Sequence, residues 1–254
     1  MEGAYWLEQT AEEMPVDDGW LGAHEVRCLA AMQFEKRRGD WRLGRWTAKR
    51  ALSACLNLPT DVQTMRRIEI RATESGAPEA HVDDHPSSAM ISISHCKGTA
   101  ICAVMQEGAQ MGCDLELVES RADSFLTDYF TIEEQTLVSR SFAEERPLMS
   151  TLLWSAKESA LKALRTGLRL DTRAVMVRAE LKGVEVEGWK QLHLRCAGYG
   201  LVGVLLFQGW WRYADGRVRT VVANALPRPP IRVWVPNCLD KISSGLRRFK
   251  CDQG

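Results

Sequence analysis

The sequence has no net charge, no long apolar run and no paired cysteine motif, and each absence removes a class of function. Its 33 basic residues are balanced by 33 acidic ones. A general nucleic-acid binder needs a net basic footprint, so any phosphate binding must come from local charge. No apolar run reaches the ~18 residues that cross a bilayer. Eight cysteines are present, yet no two form a C-x-x-C pair, which removes the usual zinc reading and leaves a disulfide framework unsupported. Most, including Cys55, Cys102 and Cys113, lie in apolar patterns and read as buried reduced thiols. The segment from Met1 to Glu13 lacks the basic n-region and apolar h-region of a secretory signal. These readings predict a cytoplasmic protein that binds neither nucleic acid nor membrane.

What is present is concentrated in four segments. Gly112-Cys113-Asp114-Leu115-Glu116, read as a strand, sends Asp114 and Glu116 to one face and Cys113 and Leu115 to the other. Trp154-Ser155-Ala156-Lys157-Glu158-Ser159-Ala160-Leu161-Lys162, read as a helix, lines up Trp154, Glu158 and Lys162 at spacings of four. Taken singly, the first also describes an edge strand with one wet face, and the second an amphipathic helix with solvated charges. Together they can bring three carboxylates and an ammonium to one point. Such a cluster repels itself unless a divalent cation sits within it, and all-oxygen ligation suits Mg²⁺, with Mn²⁺ as the alternative.

The third segment, Ile91-Ser92-Ile93-Ser94-His95, alternates strictly and is followed by the apolar run from Ala100 to Val104. Two strands joined by a tight turn at Cys96, Lys97 and Gly98 are expected, with His95 at the end of the first. In the fourth segment, Arg37 to Cys55, Trp41, Gly44, Ala48, Leu52 and Cys55 recur at helical spacing as a buried seam. Arg38, Arg42, Arg45 and Lys49 form a basic stripe beside it. Asp40 is the one acid between Arg37 and Lys49, so these cations lack local partners that a phosphate-rich ligand could supply.

Along the chain the expected order begins with a helix (His24 to Phe34), the basic helix and a strand (Ile68 to Arg71). A turn-rich stretch (Thr73 to Ser88) and the strand pair ending at Met105 follow. A division falls near Gln106 to Gln110. Beyond it come the acidic strand and an aromatic segment, Phe125, Leu126, Tyr129 and Phe130, that reads as core or as docking surface, with Arg121 or Arg140 beside it. A helix capped by Thr131 and Glu134 and the helix from Trp154 to Leu164 are next. Strands are expected over Ala174–Leu181, Gln191–Arg195, Leu201–Gln208 and Arg217–Ala225. Pro227, Pro229 and Pro230 stop the last strand, and Asp240 to Gly254 reads as a loose tail. Helices followed by strands in each half predict an α+β protein. No sequence repeat marks the halves as related.

The four segments, in this order, resemble the surfactin-type 4'-phosphopantetheinyl transferases. The family pattern W-x-x-G-R-x-x-x-K is present as Trp41 to Lys49, the S-H strand end as Ser94-His95, G-x-D-x-E as Gly112 to Glu116, and W-x-x-K-E-S-x-x-K as Trp154 to Lys162. The resemblance implies two similar α+β lobes related by pseudo-twofold symmetry, with the active site in the cleft between them. Residues 1–107 would form the N-terminal, coenzyme A phosphate-binding lobe, 108–226 the Mg-binding and catalytic lobe, and 227–254 a flexible extension. It implies Mg-dependent transfer of the phosphopantetheine arm of coenzyme A to a serine of an apo acyl or peptidyl carrier protein, releasing adenosine 3',5'-bisphosphate. The implied metal ligands are Asp114, Glu116 and Glu158; the implied catalytic groups are Glu158, Lys162 and His95. Coenzyme A contacts fall to Arg38, Arg45, Lys49, Ser94, His95 and Lys162. A monomer is expected. Many relatives carry a cation inside a G-x-P element, whereas this chain reads Gly76-Ala77-Pro78. Cys96 and Ser92 also depart from the pattern. A Mg-dependent phosphohydrolase and a non-enzymatic coenzyme A-binding protein are the alternatives.

Overall fold

The structure, a computed structural model, describes residues 3–105, 108–179, 181, 188–197 and 203–235. Its first half contains β1 (Tyr5–Thr10), α1 (Ala23–Ala30), α2 (Glu35–Cys55), α3 (Val62–Arg67), β2 (Ile68–Ala72), β3 (Pro78–Val82), β4 (His85–Pro86), β5 (Met90–Cys96) and β6 (Thr99–Met105). The second contains β7 (Met111–Leu117), α4 (Asp123–Tyr129), α5 (Ile132–Arg140), α6 (Arg146–Ala163), β8 (Val175–Arg178), β9 (Lys190–Ala197), β10 (Val204–Ala214) and β11 (Arg217–Ala223), after which β12 (Ile231–Arg232) returns to the first half. The sheets run β12-β1-β6-β5, β2-β3-β4 and β7-β11-β10-β9-β8. All pairings are antiparallel except β12 with β1.

Each lobe packs one long helix against its sheet. Helix α2 buries Gly44, Ala48 and Leu52 as their spacing predicts, while Trp41 and Cys55 at the ends are half-buried. Helix α6 begins eight residues before Trp154, at Arg146, because Met149, Leu152 and Leu153 extend its apolar face into the core. A separate apolar cluster, including Trp6, Ile101, Ala103, Met111, Cys113, Leu115 and Val221, joins the lobes. Arg219 adds a bidentate pair to Glu8, at 2.6 and 2.7 Å, across the same junction.

Three local expectations are corrected. The stretch from Thr73 to Ser88 holds β3 and β4, joined where Asp83 and Asp84 both take positive φ (52° and 64°). That is the geometry of a tight hairpin turn usually marked by Asn-Gly or Asp-Gly, so the Asp-Asp pair hid it. The first helix stops at Ala30 rather than Phe34. The Arg38 guanidinium donates to the carbonyls of Leu29 (3.2 Å) and Met32 (3.4 Å), satisfying oxygens at the helix end. The segment after Pro230 is docked, since Ile231 N–H donates to Ala4 O and Val233 N–H to Trp6 O, both at 2.9 Å. Asp240 to Gly254 lies outside the described residues.

The lobes repeat one buried arrangement. In the first, Glu25 accepts the backbone N–H of Gly22 (3.1 Å) and Ile70 (3.0 Å) and pairs with Lys49. The Lys49 ammonium also donates to Trp20 O (3.1 Å) and Met65 O (2.9 Å). In the second, Glu134 accepts the N–H of Thr131 and Val177, both at 2.9 Å, and pairs with Lys157 at 2.8 Å. Lys157 donates onward to Thr172 O (2.9 Å) and Val175 O (2.5 Å). Helix α1 therefore corresponds to α5, α2 to α6 and β2 to β8. The repeat is present in sequence after all, as Trp46-Thr47-Ala48-Lys49 and Trp154-Ser155-Ala156-Lys157; four residues are too short a match to notice without the paired glutamates.

Both lysines are fully buried, and removing one partner of a buried ion pair strands the other charge. Lys49→Met and Lys157→Met are each expected to lose about 3–5 kcal/mol in urea denaturation. Lys97→Met, which breaks the exposed pair to Glu119, should leave stability nearly unchanged. Equal small effects at all three positions would contradict the assignment.

Candidate active site between the lobes

Strand β7 meets α6 at a point where no side chain fits. A Cβ on Gly112 would stand 1.9 Å from the Ser159 carbonyl oxygen and 2.8 Å from the Ala163 nitrogen, so only glycine allows the approach. Seated there, the strand turns Asp114 and Glu116 toward the helix stripe. Lys162 Nζ donates to Asp114 Oδ1 at 2.8 Å and to Cys113 O at 3.1 Å. Trp154 Nε1 donates to Glu116 Oε1 at 3.2 Å. Glu158 lies on the helix between these two anchors.

Strand β5 closes the group from the other lobe. Ser94 Oγ donates to Asp114 Oδ1 at 2.8 Å. Ser92 Oγ accepts the Cys113 N–H at 2.9 Å, and Cys113 Sγ donates back to Ser92 O at 3.1 Å. Ser92 thus joins β5 to β7, which is the physical role of a residue that the sequence alone left uninterpreted. Cys113 and Cys102 are free and fully buried, and burial raises both thiols, Cys113 to about 11. They are packing residues, as expected.

The electrostatics mark the cluster as short of positive charge. Burial, reinforced by Asp114, pushes Glu116 up to about 6, against the pull of Arg121. Burial raises Glu158 as well, and Asp114 adds to it while Lys162 opposes. Burial works against the Lys162 ammonium, yet the neighbouring Asp114 carries it above the ordinary lysine value. Asp114 Oδ2 is buried with no hydrogen-bond partner. Arg121 reaches Glu116 Oε2 at 3.4 Å and lies over the Phe125 ring, 4.4 Å from its centre. Among the described residues no three His, Cys, Asp or Glu side chains already stand at metal-holding spacing. The orphaned Asp114 oxygen and the oxygen chemistry of Glu116 and Glu158 are compatible with a hard divalent cation.

The basic stripe divides on inspection. Lys49 spends its donors on Glu25, Trp20 and Met65 inside the lobe, so its expected role as a phosphate contact is corrected to a structural one. Arg38 is likewise turned to the end of α1. Arg42 pairs with Asp18 at 2.7 Å; the acids missing from the helix's own sequence come from outside it. Arg45 remains. It lies over the Trp41 ring at 4.6 Å, its Nε is buried without a partner, and it lines a cavity of about 690 Å³ with Lys36, Arg37, Asp40 and the exposed His95. A second cavity, of about 470 Å³, contains Lys162 and the Gly76-Ala77-Pro78 turn, and Ile93 lines both. Lys36 and Arg37 were missed because they precede the apolar seam. Of the aromatic segment, Phe130 is core, whereas Tyr129 is exposed beside Trp154 (5.1 Å between ring centres).

Gly112→Ala is expected to cost at least about 1–3 kcal/mol, the range for overpacking, and to loosen Asp114 from Lys162. Gly39→Ala, in open space on α2, should gain about 1 kcal/mol from helix propensity. Thermal melts of both variants check the contrast, and a neutral Gly112→Ala would contradict the tight contact.

Comparison with known proteins finds no curated protein that matches. Among solved structures, the chain is similar to a holo-(acyl-carrier-protein) synthase from Bacillus anthracis in complex with CoA (3',5'-ADP). Identity is 20%, the TM-score is 0.35, and 41% of this chain and 95% of that one are covered. It is also similar to holo-[acyl-carrier-protein] synthase from Thermotoga maritima, at 23% identity and TM-score 0.33, covering 51% and 74%. Residues 110–195, which carry Asp114, Glu116, Glu158 and Lys162, match the family model described as 4'-phosphopantetheinyl transferase superfamily.

Proposed function

We propose that the protein transfers the 4'-phosphopantetheine arm of coenzyme A to a serine hydroxyl of an apo carrier protein, with Mg²⁺, and releases adenosine 3',5'-bisphosphate. The observation that carries this reading is the Asp114–Lys162 pair at the β7–α6 contact, with Glu116 and Glu158 within electrostatic reach of Asp114, beside one cavity that Lys162 lines and a second lined by Lys36, Arg37 and Arg45. The superfamily match over the same residues supports it. The serine oxygen attacks the phosphorus bearing the pantetheine arm, the bond to the bridging oxygen breaks, and the bisphosphate leaves.

Asp114, Glu116 and Glu158 would hold Mg²⁺, which when bound neutralises the pyrophosphate and the charge growing on the leaving group. Lys162 is kept charged by Asp114 and stabilises or protonates the departing phosphate. Glu158 takes the serine proton through water, since a carboxylate engaged by a cation is a weak direct base. Arg45 and His95 face the nucleotide phosphates, with Lys36 and Arg37 on the same wall. The reading includes a monomer in the cytoplasm. No helix among the described residues is long and apolar enough to cross a membrane.

The test is the intact mass of an apo carrier protein incubated with this protein, coenzyme A and Mg²⁺, with an EDTA control. A gain equal to one phosphopantetheine arm, abolished by EDTA and by a folded Asp114→Ala variant, is expected. Coenzyme A cleavage without a mass gain would replace the reading with a phosphohydrolase. Coenzyme A binding without transfer or cleavage, across fatty-acid, polyketide and peptide-synthesis carriers, would replace it with a binding protein.

A further inference from the structure

The cavity of about 470 Å³ beside Lys162 is of ligand size, and its walls differ in charge. Gly76, Ala77 and Pro78 on the N-terminal lobe bring no cation to it. The opposite wall carries Lys162 and, just beyond the end of α6, Arg165. Two features of Arg165 are unusual. Its φ is +54°, a left-handed conformation in which glycine is at ease and a long side chain is uncommon. The position is the left-handed residue of a Schellman helix ending, with Arg165 N–H donating to Lys162 O (3.0 Å) and Thr166 N–H to Leu161 O (3.1 Å), where glycine is the usual choice.

The second feature is its lack of an ionic partner. The guanidinium meets no carboxylate among the described residues; its side-chain contact is the Met90 sulfur at 3.6 Å. Nearby arginines spend their donors on the protein itself. Arg169 donates to Thr166 O, Arg165 O and Ser75 O, and Arg173 is held by Asp171 at 2.7 Å. A planar guanidinium at a cavity wall, one turn beyond Lys162, suits a phosphate better than any group the protein offers it.

Resting on the proposed function, we infer that Arg165 is a phosphate-binding residue of the coenzyme A site, contributed by the C-terminal lobe and facing the Gly76-Ala77-Pro78 turn. It contacts either the 3'-phosphate or the pyrophosphate, which are one ligand chemistry at two positions. Arg165 holds the ligand and takes no part in moving protons.

Arg165→Gly is the informative variant, because glycine suits the backbone and removes only the side chain. Calorimetric titration of the full-length protein with coenzyme A should show affinity falling about tenfold or more, the worth of one charge-assisted hydrogen bond. The melting temperature should be equal or higher, and Arg165→Lys should recover part of the loss. Dephospho-coenzyme A locates the contact: a penalty that vanishes with it identifies the 3'-phosphate, and one that persists identifies the pyrophosphate. Affinity of Arg165→Gly within about twofold of the parent, with the parent binding coenzyme A, would overturn this inference and leave the proposed function standing. A parent protein that does not bind coenzyme A would overturn both.

Discussion

The absence of a side chain at Gly112 is the constraint on which the site depends. With backbone touching backbone at the β7–α6 crossing, the period of the strand and the period of the helix come into phase. Asp114 meets Lys162 and Glu116 meets Trp154, and Glu158 is left between two fixed points. A methyl group there would force the strand off the helix and separate the carboxylates that the arrangement gathers. The same strand is bonded to β5 of the other lobe through Ser92 and Ser94. The lobe junction and the carboxylate cluster are therefore one construction.

Charge in this protein is sorted by depth. The buried pairs Lys49–Glu25 and Lys157–Glu134 anchor the long helices to the strands beside them, each with every strong donor occupied. Desolvation makes such pairs poor sources of net stability but costly to break. Cations outside this scaffolding line the two cavities, Lys36, Arg37 and Arg45 in one and Lys162 and Arg165 in the other. A neutral chain can in this way present a cavity with a local excess of positive charge, since Lys36, Arg37 and Arg45 outnumber Asp40 on its wall.

Much of the site was legible in sequence because its chemistry depends on short-range periodicity. The G-x-D-x-E alternation and the spacing of Trp154, Glu158 and Lys162 fix the relevant faces whatever the tertiary detail. The α+β character, the β5–β6 hairpin and the Thr131–Glu134 cap followed from equally local signals. The roles of Lys49 and Arg38 were not legible, since their partners Glu25, Trp20, Met65 and Leu29 lie in other segments of the chain. The β3–β4 hairpin was hidden by Asp83-Asp84, residues less often seen at two successive positive φ values. Arg165 gave no signal at all, because a left-handed arginine is invisible until the backbone is seen.

The proposed function requires Asp114, Glu116 and Glu158 at the β7–α6 crossing to hold a divalent cation. Its most direct test is a titration of Mn²⁺, read by the electron paramagnetic resonance of the free ion, into the protein in the presence of coenzyme A. The account predicts one bound ion per chain, lost in Asp114→Asn and weakened in Glu116→Gln and Glu158→Gln, while the circular dichroism of all three variants stays unchanged. Mn²⁺ binding by a folded Asp114→Asn protein equal to that of the parent would contradict it.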